Sequence, residues 1–250
     1  NLMPPAPDPG PEQLALLQRL LELVQRASGA DFRQYQPAAL LRRVMWRVEE
    51  EQTGSIEGLM GRAEADPACL QRLQAALTLH VTTLFRDPPF FRLFRSEVVP
   101  YLRTYSRPRL WVAGCSTGQE LYSYCIALEE EGLSERCTLY ATDLSPAVLA
   151  QAGQGWLDES LLPEYETNYL EAGGRAQLHE HLCRREGRPA LKPQRLQGVV
   201  FGVHNLLTDA SLNEFQLISC RNVLMYLDAP AQSRAHDLMN ESLCAFGFIG

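Results

Sequence analysis

A short segment near the middle of the chain, Arg109 to Tyr122, most constrains the fold. Its letters, RLWVAGCSTGQELY, place an apolar run before a turn of small residues, and a helix is predicted to follow at once. Gly114 and Gly118 permit positive φ, and the first N–H groups of a helix lack intrahelical partners. Strand, glycine turn and helix in this order predict a socket for a nucleotide-like ligand, which many dinucleotide and nucleoside cofactors can use.

The composition is that of a folded protein. Hydrophobic residues make up 46% of the 250 positions and charged residues 21%, which suffices for one large domain or two smaller ones. No run approaches the ~20 apolar residues of a membrane helix, and the first residues do not resemble a leader peptide. The seven cysteines are scattered and form no Cys-x-x-Cys pair. We therefore expect reduced thiols and a cytoplasmic protein.

Charge and metal-ligating residues exclude some partners. The net charge of -7 argues against a broad surface for nucleic acid, and no direct insertion into a membrane is expected. His179, His181 and Cys183 follow a spacing that matches no usual zinc pattern, so a solvated charged segment is the favoured interpretation. No metal site is predicted.

The hydrophobic pattern divides the chain into three regions. Residues 1–10 are rich in proline and predict a flexible lead, whereas residues 11–97 show helical periodicity and predict an all-α domain, with one helix opening at Pro37. In residues 98–250 apolar runs alternate with helical stretches, which predicts a parallel sheet covered on both faces. We expect strands near 110–113, 138–142, 199–203 and 215–220 and from Phe246, and helices near 120–131, 146–154 and 230–244.

Two stretches depart from this alternation. Residues 157–198 are more chain than a crossover helix needs, so we predict an inserted small β subdomain on the surface, suited to partner contact. The last letters, FGFIG, are typical of a fifth strand. We expect the sheet of the whole protein to continue through a final hairpin beyond Gly250.

An acidic residue helps to identify the ligand. Asp143 ends the second predicted strand, 25 residues after Gly118, where it can accept hydrogen bonds from the ribose of NAD or S-adenosylmethionine. An aspartate that caps the next helix is the alternative. A dinucleotide fingerprint fails at two of its three glycine positions, which Ser116 and Gln119 occupy. S-adenosylmethionine is therefore the favoured cofactor.

Further polar residues follow the turn and a later strand. Glu120, near the helix start, can accept a hydrogen bond from the ammonium of the cofactor. The alternative is that its charge only compensates the helix dipole. Arg221, Asn222 and Tyr226 follow the apolar run FQLISC, and polar groups at the carboxyl end of a central strand face the ligand crevice. A surface arginine, a turn asparagine and a core tyrosine are the alternatives.

Five blocks together resemble the CheR-type chemotaxis receptor methyltransferases. VTTLFRDPPFFRLF, GCSTGQELYS, ATDLSPAVLAQA, FGVHNLL and FQLISCRNVLMYL have the order and spacing of that family, and the resemblance covers residues 17–250. It implies an all-α amino-terminal domain that opens with GADFRQYQPAALLRRVMWR. An α/β, Rossmann-like class I S-adenosylmethionine-dependent methyltransferase domain with an inserted small β subdomain would follow.

The glycine turn and the motifs of the family together indicate the site residues. The expected cofactor contacts are His80, Thr82, Arg86, Gly114, Ser116, Gly118, Glu120, Asp143, Asn205, Leu206, Arg221 and Asn222. His80 stands where the family has asparagine, and Gln119 and Leu121 stand where it has glutamate and proline. The resemblance implies that Tyr226 lies near the transferred methyl group and that Arg86 holds a carboxylate, so these two are the expected catalytic residues.

The implied reaction transfers a methyl group from S-adenosylmethionine to a glutamate side chain of a chemoreceptor, giving a methyl ester and S-adenosylhomocysteine. A carboxylate is already a nucleophile at neutral pH, so positioning and desolvation would supply much of the acceleration.

The resemblance also implies a partner-binding surface. Arg42, Arg43 and Arg47 lie on one predicted helix, which in the family faces the acidic receptor, while a solvated helix face is the alternative. We expect a monomer. Because of the departures around the cofactor, a non-catalytic sensor or scaffold that binds S-adenosylmethionine or S-adenosylhomocysteine is the alternative function.

Overall fold

The computed structural model describes residues 10–28, 32–33, 35–77, 82–212 and 214–250. They belong to two compact units, one drawn from Asn1–His80 and Leu224–Gln232, the other from Val81–Val223 and Ser233–Gly250. Most of the expected proline-rich lead, residues 1–9, and the expected cofactor contact His80 lie outside the described residues. Within the described ranges, each helix is too short or too polar to cross a membrane.

The first unit is built from four α-helices: α1 (Pro11–Ser28), α2 (Pro37–Glu50), α3 (Ile56–Ala65) and α4 (Pro67–Leu77). Proline fits the first turn of a helix, where its missing N–H costs nothing, and Pro37 opens α2 as predicted. The Ser55 hydroxyl caps α3 by accepting from Gly58 N at 3.1 Å. Leucines and valines at helical spacing form the core, which confirms the predicted all-α region.

Residues 224–232 belong to this helical unit although they lie far along the chain. The backbone N–H of Gln36 donates to Tyr226 O at 2.8 Å, and Tyr35 and Leu227 form an antiparallel bridge. The side-chain amide of Gln232 donates to the carbonyls of Leu224 and Leu227 at 3.0 and 3.1 Å. Tyr226 is therefore built into the first unit by backbone contacts.

The second unit contains the sheets. Its strands are β1 (Arg109–Ala113), β2 (Thr138–Asp143), β3 (Leu182–Arg185), β4 (Arg188–Leu191), β5 (Val200–Val203), β6 (Phe215–Ser219) and β7 (Leu243–Ile249). Five of them form a parallel sheet in the order β5-β2-β1-β6-β7, as the alternation predicted. The strand order reverses at β1, and in such sheets ligands bind beyond the carboxyl ends of the strands at the reversal.

The helices of this unit are α5 (Pro88–Leu93), α6 (Val99–Leu102), α7 (Gln119–Glu130), α8 (Pro146–Gln154), α9 (Leu162–Glu171) and α10 (Ala229–Ser242), of which α10 begins within the residues assigned to the first unit. The expected start of the last strand, Phe246, is wrong. The helix ends at Ser242, whose buried hydroxyl donates to Leu238 O at 2.8 Å and accepts from Leu212 N at 3.0 Å. The apolar residues Leu243–Ile249 then extend as β7.

The division between the units falls near residue 80 and differs from the expected boundary at residue 97. Helix α5 and the π-helical segment Phe94–Val98 pack in the second unit. The ring centroids of Phe91 and Phe94 lie 5.3 and 5.1 Å from that of Tyr124 on α7. Helical periodicity alone could not reveal this, because a helix has the same pattern whichever core it covers.

The stretch expected to be an insertion holds α9 and an antiparallel hairpin of β3 and β4. A buried polar cluster ties it to the end of α7. The Tyr169 hydroxyl donates to Glu130, and Glu130 also pairs with Arg95 at 2.5 Å. The His181 ring lies 3.3 Å from the Tyr169 hydroxyl and 3.0 Å from an Arg195 nitrogen.

Candidate functional site

The turn between β1 and α7 has the shape that its glycines allow. Gly114, Ser116 and Gly118 have φ of 68°, 53° and 100°. A methyl group on Gly114 would meet Val223 Cγ2 at 2.6 Å, and one on Gly118 would meet the Tyr122 ring at the same distance. The glycines are therefore required by packing within the chain itself, as well as by their positive φ.

Asp143 joins this turn to the end of β2. One carboxylate oxygen accepts from Ser116 N at 2.9 Å and the other from Ser145 N at 3.2 Å. The cap of α8 is Ser145, whose hydroxyl accepts from Val148 N, so the alternative of a capping aspartate is wrong. A carboxylate has about four acceptor positions. Those left at Asp143 fit the hydroxyls of a ribose.

Glu120 occupies the first turn of α7 and is held from two sides. The Ser219 hydroxyl donates to Glu120 Oε1 at 2.7 Å, and the Arg221 guanidinium donates to Oε2 at 3.3 Å. Burial raises the pKa of Glu120, while Arg221 and the bond from Ser219 act in the opposite direction. A cationic ammonium beside this carboxylate would favour its ionised form, so the position fits the amino-acid end of S-adenosylmethionine.

Arg221 connects Glu120 to the segment before α5. Its side chain is 9% exposed, its Nη2 donates to Asp87 Oδ2 at 2.5 Å and to Arg86 O at 3.2 Å, and its Cζ lies 4.1 Å from the centroid of the Phe90 ring. The alternative of a surface arginine is therefore wrong. A guanidinium with this many partners is fixed in place.

Asn222 presents an acceptor that the protein does not satisfy. It has φ of 59°, a conformation that asparagine tolerates better than most residues, as the alternative of a turn residue expects. Its Oδ1 is buried, and within the described part of the chain no donor bonds to it. Because an unpaired buried acceptor is costly, a bound donor would stabilise this site. The chemistry of S-adenosylmethionine, with its ammonium, hydroxyl and amine donors, fits that need.

Asn205 and Leu206 follow β5, beside the end of β2. The neighbouring His204 N donates to Asp143 O at 3.2 Å. Asn205 Oδ1 accepts from Leu207 N at 2.9 Å, and Leu206 is buried. An apolar side chain next to a fixed amide suits the face and edge of an adenine ring.

Gln119 and Leu121, which differ from the motif of the family, lie in different environments. Leu121 is fully buried in the core, where it replaces a proline of the family without facing solvent. Gln119 Oε1 accepts from the Thr117 hydroxyl at 2.7 Å, and both residues line a cleft of about 680 Å³ together with Gln151 and Trp156.

The three arginines of α2 are not equivalent. Arg42 is exposed, whereas Arg47 pairs with the buried Glu51. Arg43 Nη1 donates to Leu77 O at 2.5 Å, and its Cζ lies 5.1 Å from the centroid of the Tyr226 ring. Burial lowers the pKa of Arg43, although Tyr226 raises it. The side chains of Arg43 and Arg47 therefore bind other residues of the first unit.

The structure brings Glu120, Arg221, Asn222 and the Arg86 backbone together at the carboxyl ends of β1 and β6, and Ser116 with Asp143 at the end of β2. Thr82 begins the described part of the segment that leads to Arg86, and Tyr226 belongs to the first unit. Sequence reasoning missed Ser219 and Asp87, which have no motif of their own.

Comparison with known proteins identifies both parts of the chain. Residues 15–78 match the family model described as CheR methyltransferase, all-alpha domain. Residues 80–250 match the model described as CheR methyltransferase, SAM binding domain. The expected class I fold with an all-α domain before it is thereby confirmed.

Curated relatives agree with this assignment. The chain is 41% identical over 230 residues to "Putative methyltransferase Cher3" of Pseudomonas putida, which covers 92% of this chain and 84% of the relative. It is 32% identical over 213 residues to chemotaxis protein methyltransferase 1 of Pseudomonas aeruginosa, covering 79% and 73%. It is 28% identical over 232 residues to the chemotaxis protein methyltransferase of Listeria monocytogenes, covering 91% and 86%.

The matched family and the geometry of the turn agree on the cofactor, which is S-adenosylmethionine. The chain belongs to the CheR methyltransferase family of S-adenosylmethionine-dependent enzymes.

Proposed function

We propose that the protein methylates glutamate side chains of a chemoreceptor and so forms methyl esters in a chemotaxis-type signalling pathway. The Glu120 carboxylate, 14% exposed and held by Ser219 and Arg221, is the observation that carries this proposal. It preserves the acid of the cofactor motif despite the changes at Gln119 and Leu121. Relatives named chemotaxis protein methyltransferase support the choice of pathway.

Bound S-adenosylmethionine supplies a methyl group that its sulfonium makes electrophilic. Glu120 would accept a hydrogen bond from the ammonium, and Asn222 Oδ1 would accept one from a further donor group. Asp143 would accept from the ribose hydroxyls, while Asn205 and Leu206 would flank the adenine. The remaining predicted contacts to the cofactor are His80, Thr82, Gly114, Ser116 and Gly118.

The acceptor glutamate needs orientation rather than a base. Its carboxylate oxygen would form the new C–O bond as the C–S bond of the donor breaks, and the electron pair of that bond would stay on sulfur. Arg86 holds the carboxylate, and Tyr226 fixes its line of approach. Effective molarities of well-oriented reactions are large enough for positioning to supply much of the rate.

Arg42 is the arginine of the α2 set that we propose for contact with the acidic receptor helices, because it is exposed. Arg43 and Arg47 support this surface from within the unit through Leu77 and Glu51. A monomer that acts in the cytoplasm, on receptors and not on nucleic acid, is part of the proposal.

The test is incubation with methyl-labelled S-adenosylmethionine and the cytoplasmic helices of candidate chemoreceptors. We expect label on the receptor that alkali releases as methanol, because an ester is hydrolysed by base. The variant Tyr226→Phe tests the role of this tyrosine. It should slow methyl transfer more than it weakens binding of S-adenosylhomocysteine. Tight binding of cofactor without label on any receptor would instead support the sensor or scaffold function.

A further inference from the structure

Arg86 lies between two residues with strained backbones. Phe85 has φ of 51° and Asp87 has φ of 56°. Residues other than glycine rarely adopt this left-handed region, because the Cβ atom crowds the following carbonyl. Such strain persists only where the surroundings impose it, and it clusters at functional sites. The two ends of this segment are held in different ways.

The core holds the Phe85 end. Phe85 is fully buried, and its N–H donates to the Ser123 hydroxyl at 2.8 Å. Its ring centroid lies 5.1 Å from that of Phe91 and 5.4 Å from that of Tyr169. Burial and one backbone hydrogen bond therefore account for this half of the strained segment.

Packing cannot hold the Asp87 end, because the Asp87 side chain is 60% exposed. Asp87 precedes α5, yet across the residues that the structure describes its carboxylate makes no capping hydrogen bond to that helix. Its carboxylate accepts instead from Arg221 Nη2 at 2.5 Å, and the same nitrogen donates to Arg86 O at 3.2 Å. One guanidinium nitrogen therefore binds two adjacent residues of the segment, Arg86 through its carbonyl and Asp87 through its carboxylate.

Arg221 is itself held in place by two neighbours. Arg221 is clamped by Glu120 at 3.3 Å and by the Phe90 ring at 4.1 Å, so its guanidinium has little freedom to follow a moving loop. The Arg221 guanidinium consequently links the Arg86 backbone and the Asp87 carboxylate to the Glu120 carboxylate.

We infer that Asp87 is a positioning residue that acts through Arg221, holding Arg86 in place for the acceptor and cofactor and keeping Arg221 aligned on Glu120. The role of Arg86 in this inference rests on the proposed function. The simpler explanation is that aspartate stands at this position because it tolerates positive φ. The two explanations make opposite predictions for two substitutions.

Asp87→Asn retains the tolerance of positive φ but loses the charge, and Asp87→Gly removes both the strain and the carboxylate. If Asp87 positions Arg86, both variants should keep or raise the thermal midpoint. Their affinity for S-adenosylhomocysteine should fall by about tenfold, the size expected for one charge-assisted hydrogen bond. Their kcat for receptor methylation should fall further, with a smaller change in KM for the receptor.

The matched control is Glu186→Gly. Glu186 is an exposed acid with φ of 51° in the turn between β3 and β4. Its replacement relieves the same kind of strain without touching Arg221, so cofactor affinity should not change. Calorimetry, thermal unfolding and steady-state methylation are measured on all variants.

Wild-type affinity and kcat in both Asp87 variants would overturn the inference. A lower thermal midpoint with unchanged affinity would also overturn it, because Asp87 would then act on stability alone. If the wild-type protein binds S-adenosylhomocysteine but methylates no receptor, the proposed function fails. The calorimetric comparison of Asp87→Asn and Asp87→Gly with Glu186→Gly still decides the role of Asp87.

Discussion

The Ser219 hydroxyl donates a hydrogen bond to Glu120 Oε1 across 2.7 Å and so joins the carboxyl end of β6 to the first turn of α7. Ser219 is 1% exposed, and Glu120 is also bonded to Arg221. A hydroxyl that donates to a carboxylate favours its charged form. The amino-acid end of the cofactor depends on that charge in the mechanism proposed above.

Ser219→Ala should therefore weaken binding of S-adenosylhomocysteine. Loss of a hydrogen bond to a charged group corresponds to about 1.5 kcal/mol, or roughly a tenfold change in dissociation constant. Titration calorimetry at pH 7.5 measures it. Cys220→Ser, which alters the adjacent buried side chain, serves as the control for general disturbance of the strand end. Equal affinities of wild type and Ser219→Ala would refute the role given to this bond.

Cofactor affinity should fall as the pH is lowered. Burial raises the pKa of Glu120, so its carboxyl takes up a proton at a higher pH than an exposed glutamate does. The protonated form no longer attracts an ammonium. We expect the dissociation constant to rise as the pH falls towards the ordinary range of glutamate, with the rise beginning above that range, and beginning at still higher pH in Ser219→Ala.

Glu120→Gln is the control for this pH dependence. Its affinity should be low throughout and nearly independent of pH, because the titrating carboxyl is gone. A variant that keeps the wild-type pH profile would assign the dependence to another group.

Acid should destabilise both units. Hydrogen bonds from Arg72 and Arg47 lower the pKa of Glu51 to about 2. Burial opposes the ionisation of Glu130, but bonds from His181, Tyr169 and Arg95 outweigh it and lower its pKa to about 2. Carboxyls with depressed pKa stabilise the fold above their unfolded pKa, and this contribution is lost as the pH falls from about 4.5 towards 2.

Urea unfolding at pH 7 and pH 3 measures this effect. The wild-type midpoint should be lower at pH 3. Glu130→Gln should lower the stability at pH 7 by about 1.5 to 3 kcal/mol, because Arg95 loses one of its two carboxylate partners and keeps Glu131. The difference between the two pH values should shrink in that variant. An unchanged difference would contradict the contribution of Glu130.

Two neighbouring arginines of α2 should behave differently. Arg42 is exposed, so Arg42→Ala should raise KM for the receptor by a factor of about 2 to 5, and the effect should vanish at high salt. Arg43 contacts the Tyr226 ring and Leu77 O, so Arg43→Ala should lower kcat at all salt concentrations. Methylation assays at about 50 mM and about 500 mM salt compare weak with strong screening of exposed charges. Identical, salt-dependent losses in both variants would place Arg43 on the receptor surface.

Local patterns were enough to predict most of the secondary structure. The all-α character of the first unit and four strands of the parallel sheet follow from the spacing of apolar residues, which depends on residues a few positions apart. The strand at Leu243–Ile249 was misplaced because its first residues continue the apolar pattern of α10 until the Ser242 hydroxyl ends it. Residues 82–97 were placed in the wrong unit because periodicity does not show which core a helix covers.

The sequence by itself determined the family, the cofactor and the candidate residues at the ends of β1, β2 and β6, since motifs lie in contiguous segments. Only the tertiary structure showed that Ser219 supports Glu120, that Asp87 and Arg221 hold the backbone of Arg86, and that Arg43 lies against Tyr226. These partners are far apart in the chain. A hydrogen bond between them depends on the final positions of whole strands and helices, which no local pattern records.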